Sequence, residues 1–257
     1  MVLGIDIGNS NIVIGCIEGG KISSVSRMAT DASMSVCDCL ASIMNINGQK
    51  NILSAELEGV IISSVVRPLT SVVCEAVRRL TGLEPLTVNY SLRTGLDFSV
   101  ESPEKLGCDR IANCAAAVSS YPLPAVVIDF GTATTISVIG SDSVFIGGII
   151  APGLKLSARV LSEGTSQLPP VDLYTPLSRC IGKNTQECMK SGIILGAAAM
   201  VDGILSRIEN ALEMPVCAIA TGGLARLVVP HCMREMVLDE NLLLRGLGII
   251  YEMNKSK

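Results

Sequence analysis

A chain of 257 residues is long enough for one large domain or two small lobes with a buried core. Hydrophobic residues make up 49% and charged residues only 17%, which argues against long disordered segments. The net charge of -4, with no run of Lys or Arg, leaves no electrostatic footprint for a nucleic-acid or anionic-membrane partner.

In chain order, the apolar run at residues 2–6 predicts a first strand, entered directly from Met1 with no basic segment ahead of it, so no signal peptide is expected. Ile7-Gly8-Asn9-Ser10-Asn11 reads as a turn, residues 12–17 as a second strand, Glu18-Gly19-Gly20-Lys21 as a hairpin and residues 22–28 as a third strand. A helix follows at about residues 33–45, with Met34, Cys37, Leu40, Ala41 and Met44 on one face. Val60-Ile61-Ile62 is a strand ending at Ser63-Ser64, Pro68 opens a helix to about Leu80, and Leu86-Thr87-Val88 is a short strand. Ser102-Pro103-Glu104 reads as the start of a helix over residues 103–120 that carries Asp109 and Arg110 early in its length.

Residues 125–239 repeat this order. Asp6-Ile7-Gly8-Asn9 is answered by Asp129-Phe130-Gly131-Thr132, and the strand ending at Ser63-Ser64 by Cys217-Ala218-Ile219-Ala220-Thr221-Gly222-Gly223. Each half closes on a helix, the second at about residues 241–253. The expectation is an α/β chain of two duplicated lobes, 1–120 and 121–257, with a cleft between them for a ligand held by the matching turns. Two such lobes resemble the ribonuclease-H-like architecture of the actin, sugar-kinase and heat-shock-70 ATPase superfamily.

The mean hydropathy of +0.50 raises the question of a membrane. The longest strongly apolar stretch, residues 193–205, contains Asp202 and falls short of the roughly 20 residues a spanning helix needs. It is expected to be a buried or subunit-interface helix. The 10 Cys form no C-x-x-C and there is one His, His231, so a zinc site is not expected. The cysteines fit buried thiols in a reducing cytoplasm.

Four stretches can carry chemistry. Asp6 to Asn11 offers a carboxylate, a glycine turn and small polar residues, which suit Mg²⁺ held through water and amides facing phosphate oxygens. An ordinary hairpin turn uses the same residues, and it is the second copy, Asp129-Phe130-Gly131-Thr132-Ala133-Thr134-Thr135, that favours the ligand reading. Leu106-Gly107-Cys108-Asp109-Arg110 sets an acid and a base early on a helix; an exposed Asp-Arg pair would do no more than solvate. Ala220-Thr221-Gly222-Gly223-Leu224 could let a flat ring approach the backbone, although strand-to-helix turns are often built this way. There is no G-x-x-x-x-G-K-[ST], and one His gives hydrolase triads little support.

With these motifs in order along nearly the whole chain, the sequence resembles the type III pantothenate kinases. The resemblance rests on Gly4-Ile5-Asp6-Ile7-Gly8-Asn9-Ser10-Asn11, Gly107-Cys108-Asp109-Arg110 with Asn113, the Asp129–Thr135 stretch, and Gly147-Gly148-Ile149-Ile150-Ala151-Pro152-Gly153. Thr94-Gly95-Leu96, Asn184-Thr185 and Ser191-Gly192 fit as well.

The resemblance implies ATP-dependent phosphorylation of pantothenate, the first step of coenzyme A synthesis, by a cytoplasmic homodimer. It implies that Asp6, Ile7, Gly8, Asn9, Ser10, Asn11, Ile12 and Val13 wrap the ATP phosphates, with Thr132 also on ATP. Asp129 would hold K⁺ or NH₄⁺, and Asp6 is the better partner of hydrated Mg²⁺. Tyr90, Gly107, Cys108, Asp109, Arg110 and Thr185 would contact pantothenate, with Asp109 as the base on its primary hydroxyl. Ser10 stands where the family usually has Thr; the hydroxyl is kept. Two other readings stay open at the level of sequence: another small-molecule kinase of the superfamily, and a regulatory relative that binds nucleotide without turnover.

Overall fold

The computed structural model describes residues 1–50 and 57–255. They form two compact units, Met1–Ser120 with Asn241–Lys257, and Tyr121–Glu240.

In the first unit, β1 (Val2–Ile7), β2 (Asn11–Glu18) and β3 (Lys21–Ala29) are antiparallel neighbours. The β2–β3 connection is the expected glycine pair, with Gly19 and Gly20 both at positive φ (54° and 79°), where a side chain is disfavoured. After α1 (Val36–Lys50), β4 (Gly59–Ser64) joins β1 in parallel; α2 (Arg67–Thr81) leads to β5 (Leu86–Thr87), parallel to β4. A short β6 (Asp97–Phe98) follows. The sheet order is β3-β2-β1-β4-β5.

Alternation along the strands sends Leu3, Ile5, Ile7, Val60 and Ile62 to one face. There they form a core with Cys39 and Ile43 of α1 and with Leu69, Val73 and Val77 of α2. The other face carries glycines. A Cβ on Gly15 would sit 2.5 Å from Leu244 Cδ1, and one on Gly59 would overlap the Tyr251 ring. These vacancies admit the last helix of the chain, Leu242–Asn254, against β1 and β4.

Residues 103–120 are not one helix. Pro103 opens a separate 3₁₀ turn, Pro103–Lys105, that stops at Leu106 in an extended conformation (ψ 135°). The α-helix α3 begins only at Cys108 and runs to Ser120. Asp109 is therefore in the first turn of a helix, where free N–H groups and the dipole favour an anion.

In the second unit, β7 (Ala125–Phe130), β8 (Ala133–Ile139) and β9 (Val144–Pro152) are antiparallel. Next come α4 (Leu154–Glu163) and the long α5 (Thr185–Leu212), and then β10 (Cys217–Thr221), parallel to β7. The short α6 (Ala225–Val228) leads to β11 (Val237–Leu238), parallel to β10. Val126, Ile128, Phe130, Ala218 and Ala220 form a core with Ile194, Ala198, Val201 and Leu205 of α5. The duplication holds pair by pair: Asp6 lies between Val13 and Ser63 in its sheet, and Asp129 between Thr135 and Thr221 in its own.

The apolar run at 193–205 is the middle of α5, which has 28 residues. Among the described residues this is one helix long and apolar enough to cross a membrane by length and composition. Its inner face is packed in the core, and Asp202 accepts the backbone N–H of Met233 (2.8 Å) and Arg234 (3.1 Å).

The helix expected to close the second lobe, now α7 (Leu242–Asn254), instead belongs with the first unit and packs along α3. The reason is steric fit. Gly246 has no side chain, and any Cβ there would overlap the Ala112 carbonyl, so the two helices approach backbone to backbone.

Candidate active site

Two hairpin turns and one helix start carry the polar residues. In the first unit β1 ends at Asp6 and Ile7, and the Gly8 N–H donates to the Asn11 carbonyl at 3.0 Å. Thr30, just past β3, clamps the turn from the side. Its Oγ1 donates to the Gly8 carbonyl at 2.6 Å and its N–H to the Ser10 carbonyl at 3.1 Å. The only sequence signal for Thr30 is a hydroxyl residue directly after β3, too common a pattern to mark a site. Asn9, Ser10 and Asn11 are exposed, whereas Ile7 and Ile12 are in the core. At those two positions only backbone could be offered to a ligand.

The second turn is tighter by one residue. Ile7 pairs with Ile12 across the first turn, and Phe130 pairs with Thr134 across the second. The Gly131 N–H closes it onto the Ala133 carbonyl at 3.1 Å, leaving Thr132 exposed at the tip. Gly153 lies against it, because any Cβ there would overlap the Gly131 and Thr132 carbonyls. Of the Gly222-Gly223 pair only Gly223 faces open space. Gly222, at φ 91°, is pressed onto Asp129: a Cβ would overlap Asp129 Oδ1 and fall 2.7 Å from the Phe130 nitrogen.

The helix start gathers the remaining groups of the first unit. Asp109 Oδ1 accepts the Arg110 backbone N–H at 2.8 Å. Burial pushes the Asp109 carboxyl above its ordinary value, opposed by that hydrogen bond and by the Arg110 charge. Burial lowers the pKa of Arg110 for the same reason. The Cys108 thiol donates to the Val88 carbonyl at 3.0 Å, tying α3 to the segment that bears Tyr90. Burial raises this thiol, and the charges of Asp109 and Asp6 push the same way. Both carboxylates thus act on one neighbourhood around Cys108. Tyr90 is 45% exposed and follows Asn89, whose Oδ1 accepts both the N–H and the hydroxyl of Ser91.

Thr185, in the second unit, is the exposed first residue of α5. Asn184 caps that helix by accepting the Glu187 N–H at 2.9 Å, while Glu187 accepts the Lys183 N–H at 2.7 Å. The structure therefore places Asp6, Tyr90, Gly107, Cys108, Asp109 and Arg110 in the first unit, and Asp129, Thr132 and Thr185 in the second.

Among the described residues no group of three His, Cys, Asp or Glu could cage a metal. The residues do fit ions that keep most of their shell on water and phosphate. Asp6 is a single carboxylate beside exposed turn residues, the usual protein share of a Mg²⁺ site. Asp129 lies between Gly131 and Gly222, whose missing side chains leave its carboxylate flanked by backbone.

Comparison with known proteins points one way. The family model described as type III pantothenate kinase matches residues 2–207. A type III pantothenate kinase from a Roseiflexus species is 41% identical over 256 residues, covering 100% of both chains. One from an Exiguobacterium species is 38% identical over 255 residues, covering 99% of this chain and 100% of that protein. Among solved structures, a ROK hexokinase from Thermus thermophilus superposes with a TM-score of 0.55 at 13% identity, covering 99% of each chain. At that identity the likeness shows the fold alone.

Proposed function

The chain belongs to the type III pantothenate kinase family, and from that membership we infer that it transfers the γ-phosphoryl group of ATP to pantothenate, giving 4'-phosphopantothenate, the first step of coenzyme A biosynthesis. The observation that carries the site assignment is Asp109 in the first turn of α3, with Arg110 beside it and Gly107 leaving room for its carboxylate.

Phosphoryl transfer asks the protein mainly for positioning and charge stabilisation. Asp109 accepts the proton of the primary hydroxyl of pantothenate as the oxygen attacks phosphorus. A carboxylate suffices for this, and the raised proton affinity of Asp109 makes it a better acceptor. Arg110 pairs with the carboxylate of pantothenate, for which a guanidinium fork is suited. Gly107 and Cys108 offer backbone to the substrate, and Tyr90 and Thr185 enclose it.

The exposed residues Asn9, Ser10 and Asn11 hold phosphate oxygens, with Gly8 closing the turn and the adjoining Asp6 and 12–13 completing it, and Thr132 makes a further contact to ATP. Asp6 would hold Mg²⁺ and Asp129 would hold K⁺ or NH₄⁺; bound there, these ions would supply charge neutralisation at the phosphates. The active form is a cytoplasmic homodimer, which sedimentation of the purified chain tests.

The deciding experiment is a coupled ADP-release assay with and without pantothenate. ADP release that depends on pantothenate is the expected result. ADP release without such dependence would move the acceptor to a different hydroxylated molecule.

A further inference from the structure

Ser63 is 0% exposed, and among the described residues its hydroxyl has no hydrogen-bond partner. Its neighbour Ser64 is engaged: the Ser64 oxygen accepts the Thr70 hydroxyl at 2.8 Å and the Val66 N–H at 3.2 Å. A buried hydroxyl without a partner is unfavourable and calls for an explanation.

Its position supplies one. Ser63 on β4 is paired in parallel register with Asp6 on β1. Paired residues of adjacent strands share a face and lie about 5 Å apart. The Asp6 carboxylate turns about a broad two-fold torsion, so a modest rotation brings an oxygen within reach of Ser63. The second unit repeats the arrangement. Thr221, 3% exposed, is paired in parallel register with Asp129. Both strands thus set a buried hydroxyl residue beside the carboxylate that ends the central strand.

We propose that Ser63 is a positioning residue for Asp6: its hydroxyl donates to the Asp6 carboxylate in the nucleotide-loaded state and fixes the oxygen that faces the hydrated cation. This rests on the placement of Asp6 at the cation given above.

The test measures the affinity of the full-length chain for Mg²⁺ with the non-hydrolysable ATP analogue AMPPNP, by calorimetry, alongside the ligand-free Tm. Ser63→Ala weakens Mg·AMPPNP binding by about tenfold, the loss of one hydrogen bond to a charged group. It leaves the ligand-free Tm unchanged or raised, because no partner is lost there. Ser63→Thr, which keeps the hydroxyl, restores binding. Unaltered affinity in Ser63→Ala overturns the proposal. So does a lowered ligand-free Tm, which would reveal a purely structural partner. Asp6→Asn separates the two levels. If it too binds Mg·AMPPNP like the wild type, the placement of Asp6 falls first; if it binds weakly while Ser63→Ala does not, only the role of Ser63 falls.

Discussion

Gly107 and Asp109 are placed so that a methyl group on Gly107 would occupy the space of Asp109 Oδ1. Gly107→Ala forces the carboxylate aside, and a side-chain end can move where backbone could not. The expected outcome is a fall in kcat of about a hundredfold, the cost of misplacing a reacting group by about 1 Å, with Tm little changed. Steady-state kinetics beside thermal unfolding checks the split.

Asp109→Asn removes the proton acceptor and lowers kcat by about 10²–10⁴-fold, while binding of ATP analogues is retained. An Asn variant with near wild-type turnover excludes Asp109 as the base. Stability moves the other way. Because the folded carboxyl titrates above its ordinary value of 3.8, ionising it costs the folded state more than the unfolded chain. That cost is fully present above the folded pKa and absent below the unfolded one. Asp109→Asn is therefore stabilising at neutral pH, and the gain disappears as the solution is acidified past the ordinary Asp range. The acid limb of kcat/KM for the wild type likewise lies above that of an ordinary carboxylate.

Arg110→Gln removes the cation assigned to the pantothenate carboxylate. It is expected to raise the KM for pantothenate about 10–100-fold, in line with hydrogen bonds to charged groups. The analogue with an alcohol in place of the carboxylate, assayed as an alternative acceptor, is affected far less. Equal effects on both acceptors would detach Arg110 from the carboxylate.

Asp129 predicts a salt requirement. Turnover is expected in K⁺ or NH₄⁺ and poor in Na⁺, at equal ionic strength. Equal rates in the three salts remove the assigned cation. Gly222→Ala tests the same neighbourhood by sterics. A side chain at φ 91° that overlaps Asp129 and meets the Phe130 backbone at 2.7 Å destabilises the fold by about 1–3 kcal/mol. Calorimetric unfolding reads this as a drop of several degrees in Tm.

The sheet of each unit was legible in the sequence because its signals are local. Asp, Gly and small polar residues between short β-branched runs give a turn between strands, and finding them twice gave the duplication. The ends of the elements were harder to read. Pro103 fits the first turn of an α-helix and of a 3₁₀ turn equally well, and only the break at Leu106 separates them. Sequence position assigned α7 to the wrong unit, because the vacancies that receive it, at Gly15 and Gly59, lie far from it in the chain. Gly222 showed why a glycine pair misleads. One member is consumed by packing against Asp129, a contact across strands that no local pattern reveals.

The placement of α7 has a consequence for the order in which the molecule can be completed. The second unit is one uninterrupted stretch, Tyr121–Glu240, whereas the first needs Asn241–Lys257 as well as Met1–Ser120. During synthesis the unit begun first is therefore finished last. Until Leu242–Asn254 has left the ribosome, the glycine-lined face of β1, β2 and β4 has no cover from that helix. A nascent chain halted after Glu240 should accordingly be cut by protease in α3 and spared in β7 and α5.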